Sequence, residues 1–183
     1  MRGHALDTEA AERLAAGQST LAEFLGLGRE RLYEIARRAY ELMNSGKLEE
    51  AAIIYRGLVA ADPTDSVFRC HLAAVELRRG RAAEAEDEFT AALRFNRANV
   101  DALSGRGEAR LRLGRIAEAV EDLRHAVELD PQARRPSTLR ARALRRMLEQ
   151  CLDEPGGFVR VDERGNRVRE VRGLIHLVRR ERL

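Results

Sequence analysis

An all-α solenoid of repeated helical hairpins is the fold this sequence predicts, and three observations carry the prediction. Gly46, Gly80 and Gly114 stand 34 residues apart, each inside one frame: Ser45-Gly46-Lys47-Leu48-Glu49-Glu50-Ala51, Arg79-Gly80-Arg81-Ala82-Ala83-Glu84-Ala85 and Leu113-Gly114-Arg115-Ile116-Ala117-Glu118-Ala119. Seven residues before each glycine sits a small residue (Ala39, Ala73, Gly107), and nine after it a bulky apolar one (Tyr55, Phe89, Leu123). Two antiparallel helices need that pairing, because the small residue lets them cross closely and the large one fills the notch. Asp62-Pro63 and Asp130-Pro131 close the first and third repeats, since proline cannot continue a helix interior.

The elements follow in order. Residues 5 to 16, rich in Ala, Leu and Glu, favour a short helix that Gly17 ends. Ser19 or Thr20 caps a second short helix through Leu21, Phe24 and Leu25, broken by Gly26 and Gly28. Helix A of repeat one is expected from about Glu30 to Asn44, with Ile35, Ala39 and Leu42 toward helix B, which runs from about Leu48 to Ala61. Repeat two opens at Ser66 and departs from the pattern at its end, where Arg97 stands in place of proline; repeat three opens at Val100. Pro136 starts a further helix, and Leu139, Ala143, Met147, Leu148 and Cys151 at helical spacing make it a C-terminal cap with an arginine-rich outer side.

Asp153-Glu154-Pro155-Gly156-Gly157 stops that helix. Beyond it, Phe158, Val159 and Val161 face Arg167-Val168-Arg169 across Gly165-Asn166, which suits a small β-hairpin. Leu174, Ile175, Leu177 and Val178 suit a short amphipathic helix or a strand. The chain therefore reads as an N-terminal helical segment (1–29), three repeats (32–65, 66–99, 100–133) with a capping helix inside 30–152, and a basic extension (153–183).

Charge divides along the same line. Residues 133 to 183 hold 14 arginines against 7 acids, a balance of +7, so residues 1 to 132 carry −4 of the net +3. The basic tail has one aromatic, Phe158, and no nucleic-acid motif, so it reads first as a solvated face or a surface for an acidic protein, with nucleic-acid contact by the tail as the minor alternative. No apolar run approaches the roughly 20 residues that span a bilayer, and the acidic N-terminus lacks a signal-peptide core. Cytoplasmic residence is the expectation. Lys47 is the single lysine against 32 arginines, which points to a high-GC, bacterial genome.

Catalytic and metal chemistry are not indicated. His4, His71, His125 and His176 lack ligand spacing, and Gly26-Leu27-Gly28 and Gly105-Arg106-Gly107 lack the third glycine and preceding strand of a dinucleotide site. Glu84, Glu86, Asp87 and Glu88 read as a solvated helix face. Cys70 and Cys151 are too sparse for a disulfide scaffold, and Cys70 reads as a small buried or groove-lining hydrophobe. The expectation is a protein that is not an enzyme and holds no cofactor.

In stacked helical pairs the A helices line the concave side. There Tyr33, Ala36, Tyr40 and Met43 of repeat one and Val67, Cys70, Ala74 and Leu77 of repeat two form an apolar stripe suited to an extended apolar peptide. Repeat three changes to Asp101, Ser104 and Glu108, followed by Leu111 or Arg112. The alternative for Tyr33 and Tyr40 is packing against the N-terminal helices or a second copy of the chain.

A 34-residue helix-turn-helix with these positions is the tetratricopeptide pattern. Within it, residues 17 to 96 resemble the class II translocator chaperones of type III secretion, the LcrH/SycD type. The resemblance lies in Gly17-Gln18-Ser19-Thr20-Leu21-Ala22-Glu23-Phe24-Leu25-Gly26-Leu27, in Leu32-Tyr33 through Ala36, Tyr40 and Ser45 to Ala51, and in Tyr55 to Ser66 with its large Leu58. It implies a cytoplasmic chaperone that holds an extended segment of a hydrophobic client in the groove residues just named, and that dimerises through its N-terminal part. Clamps for a peptide C-terminus place Lys and Asn where this chain has Ala36, Tyr40, Cys70 and Ala74, which argues against an Hsp70/Hsp90 co-chaperone. A general adaptor or assembly scaffold is the competing reading.

Overall fold

The computed structural model describes residues 8–153 and two short segments, 159–161 and 167–169. Helices α1 (Thr8–Ala15) and α2 (Leu21–Phe24) precede three hairpins. These are α3 (Arg29–Asn44) with α4 (Leu48–Ala61), α5 (Ser66–Arg78) with α6 (Ala82–Phe95), and α7 (Val100–Arg112) with α8 (Ile116–Leu129). Helix α9 (Pro136–Asp153) packs on both α7 and α8, in the place of a fourth A helix. Strands β1 (Val159–Val161) and β2 (Arg167–Arg169) pair antiparallel, Val159 opposite Arg169; their expected Gly165-Asn166 turn and the segment around Leu174 to Val178 lie outside the described residues.

The periodic glycines end the A helices. Gly46, Gly80 and Gly114 have φ of 83, 84 and 78°, a left-handed conformation that glycine alone adopts freely. The amides of Lys47, Arg81 and Arg115 then reach back to the carbonyls of Leu42, Glu76 and Arg110 at 2.9, 2.9 and 2.8 Å, satisfying carbonyls that the helix end would orphan. The B helices end on a second 34-residue series, Asp62, Asn96 and Asp130. Their side-chain oxygens accept from the amides of Thr64, Ala98 and Arg134 at 3.0, 3.1 and 3.1 Å. Asn96 thus makes the turn that repeat two lacks a proline to impose. Asp65 and Asn99 cap α5 and α7, and Thr20 with Glu23 forms a capping box on α2.

Within each hairpin the expected crossing forms. Ala39, Ala73, Tyr55 and Leu123 are fully buried and Phe89 is nearly so. The core runs along the stack as two clusters, one around repeat one and α5, the other from α5 through α9, so each hairpin is stabilised by its neighbours.

Two sequence expectations are corrected. Glu86 is not on a solvated face: it is buried, held by Arg110 at 2.9 Å and Arg115 at 2.7 Å, and Arg110 also bonds Asp122, which Arg106 grips bidentately. Pairing with arginines from the next repeat is what permits the burial. On α9, Leu139 is 57 % exposed and Ala143 is exposed, whereas Ala141 and Leu148 are buried and Leu144 and Met147 pack on the core. The cap's apolar stripe is therefore rotated from the expected one, because α9 must meet α7 and α8 together. The Cys151 side chain lies outside the described residues.

Candidate peptide-binding groove

The A helices α3, α5, α7 and α9 lie side by side and line a cleft of about 750 Å³. Six of the eight expected groove residues border it: Tyr40, Met43, Val67, Cys70, Ala74 and Leu77. Tyr40 and Val67 are well exposed, at 46 % and 38 %, and supply the accessible apolar surface; Met43, Cys70 and Leu77 show only their edges.

Tyr33 and Ala36 do not border the cleft. Tyr33 donates to Asp65 Oδ2 at 2.9 Å and packs its ring 5.0 Å from Phe68, tying repeat one to the capping carboxylate of α5. Ala36 is buried, and its carbonyl accepts from the Tyr55 hydroxyl at 3.1 Å. Ala36, Cys70, Ser104 and Thr138 occupy one repeat position and all four are buried, but of these only Cys70 reaches the cleft.

The cleft also holds His71, a histidine without ligand spacing in the sequence. Its ring stacks on Tyr55 at 5.4 Å and meets the Tyr40 edge at 5.7 Å, so it braces the exposed tyrosine. Burial lowers the His71 pKa, with Asp101 and Asp65 opposing that shift. Burial pushes the Cys70 thiol up to about 12, leaving it protonated and unreactive at neutral pH.

Toward α7 and α9 the lining turns charged, as the change of stripe in repeat three predicts. Arg135 pairs with Asp101 at 2.7 Å, Ser137 donates to the same carboxylate, and Arg112 bonds both Glu108 and the Leu77 carbonyl across the groove. Among the described residues no group of histidines, cysteines and carboxylates is placed to hold a metal, and no helix is long and apolar enough to cross a membrane.

A tetratricopeptide-repeat family profile matches residues 70–134. Its stacked helical hairpins are tetratricopeptide-like repeats. Its sequence is 34 % identical over 109 residues to the DnaJ protein P58IPK homolog A of Oryza sativa subsp. japonica, covering 57 % of this chain and 23 % of that protein. The chain spans less than a quarter of the length of the curated P58IPK relatives it matches. Among solved structures, this repeat stack is similar to the first tetratricopeptide domain of Spaghetti (RPAP3) bound to the HSP90 peptide SRMEEVD. That likeness has a TM-score of 0.62 and 27 % identity over 69 % of this chain and 97 % of that one. It is also similar in fold to the Yersinia enterocolitica type III secretion chaperone SycD in complex with a peptide of the translocator YopD. There the TM-score is 0.61 at 22 % identity, over 69 % and 98 % of the two chains.

Proposed function

We propose that residues 30–152 act as a protein-binding module that holds an extended apolar segment of a client in the concave groove, as a cytoplasmic chaperone of bacterial secretion. The observation that supports this most is the accessible apolar surface of Tyr40 and Val67, backed by Met43, Ala74 and Leu77 on parallel A helices. Extended peptides dock on such surfaces through alternate side chains. The fold likeness to a chaperone with a translocator peptide supports the same use. A second reading, a general adaptor for assembling protein complexes, is favoured by the sequence likeness to P58IPK and RPAP3, and it uses the same groove. Capture of a peptide C-terminus by a lysine-asparagine clamp is not proposed, because Ala36, Tyr40, Cys70 and Ala74 stand at those positions.

The test places a photo-crosslinking amino acid at Val67 and identifies the client segment that it captures. Binding of that segment is then measured with Tyr40→Glu. A charge set in an apolar contact weakens binding about tenfold or more, with helicity unchanged because Tyr40 is half exposed. Unchanged affinity with unchanged circular dichroism would place the client elsewhere. A captured segment from a secreted, membrane-active protein selects the chaperone reading, and any other partner selects the adaptor.

A further inference from the structure

We infer that the groove selects an apolar segment that also carries an acidic side chain, and that Arg140 on α9 is the partner of that acid. The inference rests on the peptide-binding reading above and names the chemistry of the peptide.

The cleft is graded in charge along the stack. Its α3 and α5 end offers Tyr40, Met43, Val67, Ala74 and Leu77, and its α7 and α9 end offers charge. Four arginines border it, Arg78, Arg112, Arg135 and Arg140, against two carboxylates, Asp101 and Glu108, a surplus of two positive charges. Both carboxylates are already engaged, Asp101 by Arg135 and Ser137 and Glu108 by Arg112. They therefore leave no anion free to receive a basic peptide residue. Arg140 has no hydrogen-bond or ion-pair partner among the described residues, yet it borders the cleft. An arginine at the mouth of an apolar cleft favours a carboxylate that can accept two of its N–H groups. The surplus comes from Arg135 and Arg140, since within residues 1 to 132 the cleft's two arginines, Arg78 and Arg112, balance its two acids.

The repeat geometry sets a spacing. Neighbouring helices pack at roughly 10 Å, so α5 and α9 are about 20 Å apart. An extended chain rises about 3.3 Å per residue, which places the acid about six residues from an apolar side chain resting on Val67 of α5.

The experiment uses the full chain and fluorescein-labelled twelve-residue peptides with amidated C-termini, read by fluorescence anisotropy. All carry Leu at positions 3 and 5 and either Glu, Gln or Arg at position 10. The Glu peptide is expected to bind roughly fivefold tighter than the Gln peptide, the Arg peptide weaker than both, and the difference to shrink in 0.5 M NaCl. Arg140→Glu should reverse the order of the Glu and Arg peptides, a readout that lost folding would not give. Equal affinity of all three for the native chain, or an order that Arg140→Glu leaves unchanged, overturns the inference while leaving the apolar groove standing. Failure of every peptide to bind overturns the groove reading with it. A free dimer that the Glu peptide dissociates, seen by sedimentation velocity, would make a second copy the occupant and also overturn it.

Discussion

His71 shows at the scale of one residue how burial converts into a pH response. Stacked on Tyr55 and touching Tyr40, it is held neutral, with a folded pKa below the ordinary value of about 6.5. Below that ordinary value the unfolded chain takes up a proton that the folded chain resists. The unfolded state then binds more protons, so stability falls as pH drops through 6.5 toward the lowered pKa. Asp101 and Asp65 lessen the shift without reversing it. Thermal melts at pH 7.5 and 5.5 should show the native chain losing more stability on acidification than His71→Gln does. Identical pH dependence in the two would remove His71 as the cause. That this histidine would brace the groove was not legible in the sequence. Tyr55 belongs to the B helix of repeat one, 16 residues away, and only the stacking of α5 on α4 across the repeat junction brings its ring against that of His71.

At the scale of helices, the two glycines Gly107 and Gly57 separate two physical effects of one substitution. Gly107 lies in α7 where it crosses α8, and a Cβ there would meet Leu123 Cγ at 2.8 Å and Cδ2 at 2.9 Å. Gly57 lies in α4 with open space around it. Alanine raises helix propensity by about 1 kcal/mol at either position. At Gly107 the overpacking costs about 1 to 3 kcal/mol and wins or balances, whereas at Gly57 nothing opposes the gain. Urea denaturation should therefore give Gly107→Ala neutral to about 2 kcal/mol less stable, and Gly57→Ala more stable by up to about 1 kcal/mol. Stabilisation of equal size in both would show that the α7–α8 crossing relaxes freely. The small-large pairing of Gly107 with Leu123 was legible, because it repeats Ala39 with Tyr55. The arginine ladder through Glu86, Arg110 and Asp122 was not, since those charges follow no common repeat position.

For the whole molecule, stability belongs to the stack and its cap. The continuous core ends with Ala141 and Leu148 of α9 among the described residues. Ending the chain after Asp153 should leave a cooperative helical unit whose melting temperature lies within about 4 °C of the full chain, a change of roughly 1 kcal/mol or less. Circular dichroism melts decide it. A fall well beyond that would make residues 154–183 an integral part of the cap.

The 34-residue period determined by itself the hairpins, their glycine ends and the A-helix origin of the groove. Each depends on backbone conformation and on contacts that recur at fixed sequence offsets. Tertiary structure alone decided which groove candidates face solvent. Tyr33 and Ala36 share the apolar character of Tyr40, but Ala36 is buried with its carbonyl bonded to Tyr55 of α4, and Tyr33 is tied to Asp65 at the start of α5. It likewise decided the charge of the cleft, because α9 and the residue before it bring Ser137 and Arg135 to Asp101 from 36 and 34 residues away and set Arg140 on the cleft's border. A local pattern states which residues share a helix face; only the neighbouring helix states whether that face is covered.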